Sequence, residues 1–324
     1  MKKHLISNRI QLFIVLFFLF VGKNVVAQHA NFNTQKNWSL NKKEILFGIG
    51  ATQFLGDLGG KNQVGTDYSL KDIDWKSTNL GGMLGFRYRF HPRWATTTSL
   101  NLGMLKGDDA LTNEIIRNSR NLHFRSIILE LSQRIDFIIF SNEKFGARYR
   151  IKGLKFQRDH NEQLYIFGGV GVAHFNPKAN FNGSWVALRP MKTEGQGLEG
   201  GPKPYSLITA TIPMGIGFRM GLNRMWRIGI EASYVKTFTD YIDDVSGVYY
   251  DPSVLATQVS PTAAYLSNPS YQNSNWFVAG QQRGDKQKDA YFYLNVVVYK
   301  NITYKDDYNK QKRRYGMSGG KYKF

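Results

Sequence analysis

The sequence predicts an all-β protein, an eight-stranded antiparallel transmembrane β-barrel with long external loops. Three observations support this prediction: a secretory signal opens the chain, no later apolar run is long enough for a membrane-spanning helix, and apolar residues repeatedly alternate with polar or small ones. A helix needs about 20 consecutive apolar residues to cross a bilayer, whereas a tilted strand needs about 9 to 11 with every second side chain facing lipid. The alternation therefore favours a closed barrel.

Residues 1–27 have the parts of a signal peptide. A basic start is followed by the apolar run 12–21 and by the small-residue cleavage site 25–27. An uncleaved anchor helix is the alternative, but the apolar run is short for a bilayer. The mature chain is expected to begin at Gln28, with residues 28–43 as an N-terminal periplasmic segment.

Cysteine count and charge narrow the function classes. The absence of cysteine excludes a lipid-modified amino terminus and a disulfide scaffold. The net charge is +19, and removal of the four basic residues of the signal leaves +15. Such a charge suits nucleic acid, an anionic membrane surface or an acidic protein partner. Export and the lack of an aromatic-flanked basic motif argue against nucleic acid.

The clearest predicted strand covers Gly82 to Phe90. Its lipid-facing series is Leu84, Phe86, Tyr88 and Phe90, and its inward series is Met83, Gly85, Arg87 and Arg89. His91-Pro92-Arg93 predicts a tight turn, after which a partner strand places alternate residues from Trp94 to Met104 toward lipid.

The segment Ser126 to Phe140 alternates more sharply, with its charges on one face only. Five further segments follow the same rule: Glu44–Leu55, Leu164–Phe175, Ser206–Met220, Met225–Tyr241 and Ala290–Tyr304. The total of eight is even, which puts both termini on the periplasmic side of a barrel that occupies residues 44–304 of the chain. In the last segment the register stays open, because Phe292, Leu294, Val296 and Val298 compete for the lipid face with Tyr291, Tyr293, Val297 and Tyr299.

The connections between strands fall into two groups, long ones and tight turns. Those expected to be external and long lie near residues 56–78, 107–122, 176–205 and 244–288. Tight turns at 91–93 and 221–224 would face the periplasm. The connection 141–163 is also expected there, although it is long and basic.

The interior is expected to be filled by side chains, because an eight-stranded barrel is too narrow for an open pore. Inward charges would form a paired network of Arg87, Arg89, Glu130, Arg134, Asp136, Arg219, Arg227 and Glu231. Structural plugging is the favoured role of this network, and a proton or ion path is the alternative.

No catalytic or cofactor motif occurs, so the protein is expected to be non-enzymatic and to need no cofactor or metal. A small barrel enzyme is the alternative, with Asp240, Asp243, Asp244 and His174 near the external rim, although they form no recognisable hydrolytic set. The acidic string from Asp240 to Asp251 favours a hydrogen-bonded loop, with calcium binding as the alternative.

Several strings are similar to those of the PorG-type outer-membrane barrel family of Bacteroidetes. They are Phe54–Leu58, Thr193–Gly197, Ile212–Gly217, Gly229–Glu231 and Phe238–Tyr249. The family-motif residues within them are Glu194, Gln196, Asp240, Tyr241, Asp243 and Asp244.

The resemblance implies an integral outer-membrane component of the type IX protein secretion system, whose machinery also serves gliding motility. Implied partners are the periplasmic ring of the PorK lipoprotein and PorN, the outer-membrane translocon, and outer-membrane lipid. A general structural outer-membrane barrel without a secretion role is the alternative.

Residues 305–324 form a basic tail on the expected periplasmic side. The candidate partner-binding residues are Lys310, Lys312, Arg313 and Arg314 in the tail, with Arg148, Arg150 and Lys152 in the 141–163 connection. Together they would form a basic collar that steers an acidic partner or holds anionic headgroups. A solvated, disordered tail is the alternative.

Overall fold

A computed structural model describes residues 38–58, 77–111, 115–141, 162–222, 225–270, 277–285 and 287–303. The predicted signal peptide, the tail 305–324, and most of the segments 28–43 and 141–163 lie outside these residues.

Ten strands are formed within the described residues. They are β1 (Lys43–Leu55), β2 (Asn79–His91), β3 (Trp94–Asp108), β4 (His123–Ser141), β5 (Gln163–His174), β6 (Pro177–Phe181), β7 (Ser184–Ala187), β8 (Ile208–Gly221), β9 (Trp226–Thr237) and β10 (Ala290–Asn301). All except β6 and β7 form an antiparallel sheet in the order β3-β2-β1-β10-β9-β8-β5-β4, which pairing of β3 with β4 closes. The predicted eight-stranded barrel is confirmed. The strand predicted to reach Tyr241 ends earlier, at Thr237, where the chain turns into a loop.

The wall of the barrel is apolar outside and polar inside, as its alternation requires. On β2, Leu84 and Phe86 are exposed while Arg87 and Arg89 are buried. Exposed aromatic residues gather near one end and include Tyr88, Phe90, Trp94 and Trp226. An apolar band bordered by aromatic residues is the arrangement of a membrane-spanning barrel.

The register of β10, which the sequence leaves open, places its tyrosines inside. Tyr291, Tyr293 and Tyr299 are buried, whereas the outward series is Phe292, Leu294, Val296 and Val298. The physical reason is a set of carboxylates within the barrel. Tyr291 OH donates to Glu130 Oε2 at 2.7 Å, and Tyr299 OH donates to Glu231 Oε1 at 2.7 Å.

The two ends of the barrel differ. At one end, which we call the terminal end, lie the start of β1, the end of β10 and the predicted turn at Pro92-Arg93. The loop end carries four long connections, which we number as the first (56–78), second (109–122), third (175–207) and fourth (238–289) loops. No helix in the described ranges is long and apolar enough to cross a membrane.

The loops contain structure that strand alternation does not predict. The β6–β7 hairpin belongs to the third loop and continues the sheet from β4, where Arg125 pairs with Lys178. The helices are short: α1 (Ile115–Arg120), α2 (Leu188–Met191), α3 (Pro252–Gln258) and α4 (Pro261–Ser267). Both α3 and α4 begin with proline after a capping residue, since Asp251 accepts from Ser253 N and Ser260 accepts from Ala263 N.

The largest apolar core lies under these loops rather than halfway along the barrel. It joins Phe54, Phe124 and Ile128 of the barrel mouth to Leu58 and Leu266 of the loops. The Phe54 and Phe124 rings meet edge to face, with centroids 4.8 Å apart. The loops are therefore packed onto the barrel as part of one core.

Candidate functional site

The barrel interior is a network of ion pairs, and every charged residue predicted to lie there is buried. Arg87 Nε lies 2.7 Å from Asp136 Oδ2, and Arg134 Nη2 lies 2.7 Å from Glu231 Oε2. Glu130 is satisfied differently, by the hydroxyl of Tyr291. The prediction of a charge-filled lumen is confirmed.

Glu44 is the centre of this network, although the predicted inward set does not contain it. Its Oε2 lies 2.5 Å from Arg219 Nη1 and 3.4 Å from Arg87 Nη1, and its Oε1 lies 2.9 Å from Arg227 Nη1. The signal that identifies it is the alternation of β1, where Glu44 shares a face with buried Leu46.

The loop end is closed by a second polar assembly, which we call the cap. It comprises the described parts of the four loops, residues 56–58, 77–78, 109–111, 115–122, 175–207, 238–270 and 277–289 without 286. In it, polar contacts join the loops above the apolar core.

Glu194 of the third loop contacts the fourth loop at several points. Its Oε1 accepts from Ser246 N at 2.9 Å and from Gly247 N at 3.1 Å. The same atom lies 3.0 Å from Arg283 Nη1, and both side chains are buried. One carboxylate thus holds two distant parts of the fourth loop against the third.

Asp244 makes the reciprocal contact from the fourth loop. Its carboxylate accepts from Tyr205 OH at 2.6 Å and from Thr193 Oγ1 at 2.5 Å. Its backbone oxygen accepts from Arg283 Nη1 at 2.6 Å. Burial raises the pKa of Asp244 to about 6, although the Arg283 guanidinium acts to lower it.

The other family-motif residues also lie in the cap. Gln196 Oε1 accepts from Glu194 N at 3.2 Å, and the Tyr241 ring stacks on Tyr205 with centroids 4.6 Å apart. Asp240 Oδ2 accepts from Ser246 Oγ at 2.6 Å, and Asp243 Oδ1 accepts from Val245 N at 3.0 Å. The structure therefore brings together all six family-motif residues.

Arg120, from α1, joins the second loop to the first and fourth. Its Nε lies 2.6 Å from Asp109 Oδ2, its Nη2 donates to Asp57 O at 3.0 Å, and its Nη1 donates to Arg283 O at 2.8 Å. No motif in the sequence indicates this role, because two of its acceptors are backbone oxygens far along the chain.

Five aspartates cluster where the cap meets the rim of the barrel: Asp57, Asp240, Asp243, Asp285 and Asp289. Burial raises the pKa of Asp57 and of Asp240 to about 7, with a further contribution from neighbouring carboxylates. Burial also raises the pKa of Asp243 and of Asp289. The opposing influences on Asp57 and Asp240 include Arg120 and Lys288.

The cluster is built from loop hydrogen bonds. Besides the contacts of Asp240 and Asp243, Asp289 Oδ2 accepts from Ile242 N at 2.9 Å and Asp57 Oδ2 accepts from Asp285 N at 2.9 Å. Within the part of the chain that the structure describes, no three His, Cys, Asp or Glu side chains are grouped so as to hold a metal ion.

Two sets of predicted site residues remain, namely the rim residues of the alternative enzyme and the candidate partner-binding residues. His174 is exposed on the outer face of β5, whereas Asp240, Asp243 and Asp244 are buried in the cap, so the rim set considered for an enzyme is not assembled. The candidate partner-binding residues lie outside the described residues: Arg148, Arg150, Lys152, Lys310, Lys312, Arg313 and Arg314.

No family model and no curated protein matches the chain. Three solved structures are similar over most of its length. Neisserial surface protein A is 5% identical with a TM-score of 0.36, the match covering 80% of this chain and 97% of that one. Ail of Yersinia pestis is 10% identical with a TM-score of 0.32, covering 80% and 97%. OprG from Pseudomonas aeruginosa is 14% identical with a TM-score of 0.35, covering 80% and 95%. Scores this low carry no argument about function.

Proposed function

We propose that this chain is a non-catalytic outer-membrane component of the type IX secretion machinery, which also serves gliding motility. One observation supports the proposal above the others. The sequence strings that resemble the PorG-type family are far apart along the chain, yet Glu194 of one string accepts hydrogen bonds from Ser246 and Gly247 of another. The first string contributes Asp57, whose backbone oxygen accepts from Arg120 in the same cap.

The filled lumen favours an assembly role over transport. Glu44 and its arginine partners occupy the terminal half of the barrel, and the cap covers the loop end. A barrel that is filled and covered has no open path for a protein cargo. In this proposal it acts as a membrane anchor.

The partner surface is assigned to the terminal end, which the proposal places in the periplasm with both termini. The basic collar there would attract an acidic face of a ring built from PorK-like and PorN-like proteins. Charge attraction of this kind accelerates association and weakens with salt. The translocon and anionic lipid are the further partners of this proposal.

Affinity purification of the whole chain from mildly solubilised outer membranes tests the proposal. Ring subunits are expected to co-purify at low salt and to decrease as salt is raised. Recovery of the chain without any ring subunit at low and moderate salt would overturn the assignment.

Truncation after Tyr304 tests the tail separately. The truncated barrel is expected to insert normally and to recover less of the ring, and a full-length variant with Lys310, Lys312, Arg313 and Arg314 changed to Gln should lose as much. Undiminished co-purification of both would exclude the tail as a contact.

A general structural barrel is the second candidate, because the ion pairs and the cap serve stability in either case. Deletion of the gene separates the two candidates. Loss of type IX cargo from the medium is expected under the proposal, whereas intact secretion with a weakened envelope would favour the general barrel.

A further inference from the structure

One part of the lipid-facing wall is polar. Gln133 on β4 is exposed between apolar Leu131 and Ile135, and on β3 the outward Thr98 lies directly opposite it in the strand pairing. Thr96 is the next outward residue of β3. Over the middle of the wall, the other outward positions of the described barrel strands are apolar residues or glycine.

Gln133 lies deep in the apolar band. It is the middle one of seven outward residues of β4 from Ile127 to Ile139. A strand of that length, rising about 3.3 Å per residue and tilted about 45°, crosses about 28 Å of membrane, which matches a hydrocarbon core of about 30 Å. The Trp94 and Phe137 rings, with centroids 4.8 Å apart, mark the interface toward the terminal end.

Local hydrogen bonds satisfy only part of this amide. Thr98 Oγ1 donates to Gln133 Oε1 at 2.5 Å, and Gln133 Nε2 donates to Thr96 Oγ1. Thr96 Oγ1 in turn donates to Arg134 O at 3.1 Å. The amide keeps one N–H donor and one lone pair on Oε1. In hydrocarbon an unsatisfied amide group costs a few kcal/mol, so lipid alone is a poor neighbour for this patch.

The remaining donor and acceptor make the patch self-complementary. A second copy in the same membrane and orientation presents the same amide at the same depth, because a twofold axis along the membrane normal preserves depth. Beside the patch, Gly168 of β5 pairs with Ile135, and a Cβ there would meet nothing within 4 Å. The absence of that side chain lets a neighbouring wall come close.

We propose that the β3–β4–β5 wall, centred on Gln133, is a homodimer interface within the membrane. In the dimer the two Gln133 amides exchange two N–H···O hydrogen bonds across the twofold axis. The flanking apolar residues Leu131 and Ile135 then pack against their counterparts.

Site-specific crosslinking in proteoliposomes that contain only the purified chain tests this interface. The natural sequence has no cysteine, so Leu131→Cys provides one thiol per barrel. A short bis-maleimide is expected to give a covalent dimer. Val296→Cys, an exposed site on β10 four strands away around the barrel, is the matched control and should give little dimer.

Adding Gln133→Leu to the Leu131→Cys chain tests the amide itself. The change keeps side-chain size and suits lipid, so the barrel should still insert, as heat-modifiable gel mobility checks. The dimer yield is expected to fall about tenfold. Equal yields at the two cysteine sites, or a yield unaffected by Gln133→Leu, would overturn the proposal.

Crosslinking in native membranes shows whether the β3–β4–β5 wall contacts a second copy of the chain or a different protein. A product of twice the chain mass supports a second copy. A product that contains a different protein, with none of twice the chain mass, would overturn the homodimer.

Discussion

Glu44 shows how much one residue contributes to a barrel of this size. Its carboxylate contacts three buried arginines, Arg87, Arg219 and Arg227, from three other strands. This one carboxylate therefore balances part of the charge of all three guanidinium groups, and Arg87 also pairs with Asp136. Removal of one partner from a buried ion pair is strongly destabilising, because it leaves charge uncompensated.

We therefore expect Glu44→Gln to lower the free energy of unfolding by about 3 kcal/mol or more. The midpoint of heat-induced unfolding in detergent, followed by gel mobility, measures the loss. Glu199→Gln is the matched control, since the side chain of Glu199 is exposed on the cap. Equal midpoints for the two variants would show that the arginines find other partners.

Glu194 has a comparable role in the cap, where removal of its charge is expected to have a local effect. The Glu194→Gln substitution keeps the shape of the side chain but removes the charge that supports Ser246 N, Gly247 N and Arg283. Hydrogen bonds to charged groups are worth about 1.5–3 kcal/mol, so hydrogen exchange at Ser246 and Gly247 should accelerate at least about tenfold. Exchange within the barrel strands should stay unchanged, and Glu199→Gln should show neither effect. Unaltered exchange in the Glu194 variant would contradict the role assigned to this carboxylate.

At the residue scale, the sequence predicts most of the charges that face inward, with Glu44 missed, but not what they contact. Arg87, Asp136 and Glu231 follow from a period of two. The tyrosines do not, because Tyr291 and Tyr299 suit either face by hydrophobicity, and only carboxylates on other strands decide the register.

At the scale of elements, strands and loops differ in what specifies them. A barrel strand is specified locally, since each alternate residue meets either lipid or lumen. The cap is specified by contacts between distant segments, such as Arg120 with the backbone oxygen of Arg283. The prolines and caps of α3 and α4 are local signals, but they belong to helices of only seven residues each.

The clustered aspartates predict a pH-dependent cap. Because the pKa of Asp57 and of Asp240 is raised to about 7 from the ordinary aspartate value of 3.8, the folded cap binds protons that an opened cap releases between these values. Their stabilising contribution is therefore complete below about pH 4 and is lost as pH rises through 7. Limited proteolysis of the loops is expected to be slower at pH 5.5 than at pH 8.

Substitution separates this cluster from a general effect of pH. Asp57→Asn with Asp240→Asn should reduce the difference in proteolysis between the two pH values, since amides do not ionise, and Asp243, Asp244 and Asp289, whose pKa values are also raised, account for what remains. Asp251→Asn is the control: hydrogen bonds from Ser253 lower the pKa of Asp251, so it stays ionised across this range. If the doubly substituted chain keeps the full pH dependence, other groups must cause it.

At the scale of the whole molecule, the polar side chains lie inside the barrel and the apolar ones outside, the reverse of a water-soluble protein. The lumen holds ion pairs, the wall faces lipid, and the main apolar core lies between the mouth and the cap. Within the described residues, side chains fill the lumen and cover the loop end, which favours plugging over the ion path left open by the sequence.

The plugged barrel should not conduct ions. In planar lipid bilayers the chain is expected to give no stepwise current, because Glu44, Arg219 and Tyr165 fill the terminal half of the lumen and the cap covers the loop end. A variant with Glu44→Ser and Arg219→Ser removes one ion pair and opens volume in the lumen. Heat-modifiable gel mobility checks that this barrel still folds without the contacts of Glu44 to Arg87 and Arg227. Current steps in that variant would show that the assay detects leakage through this lumen. Reproducible steps of equal size from the unaltered chain would contradict plugging and favour an ion path through the network.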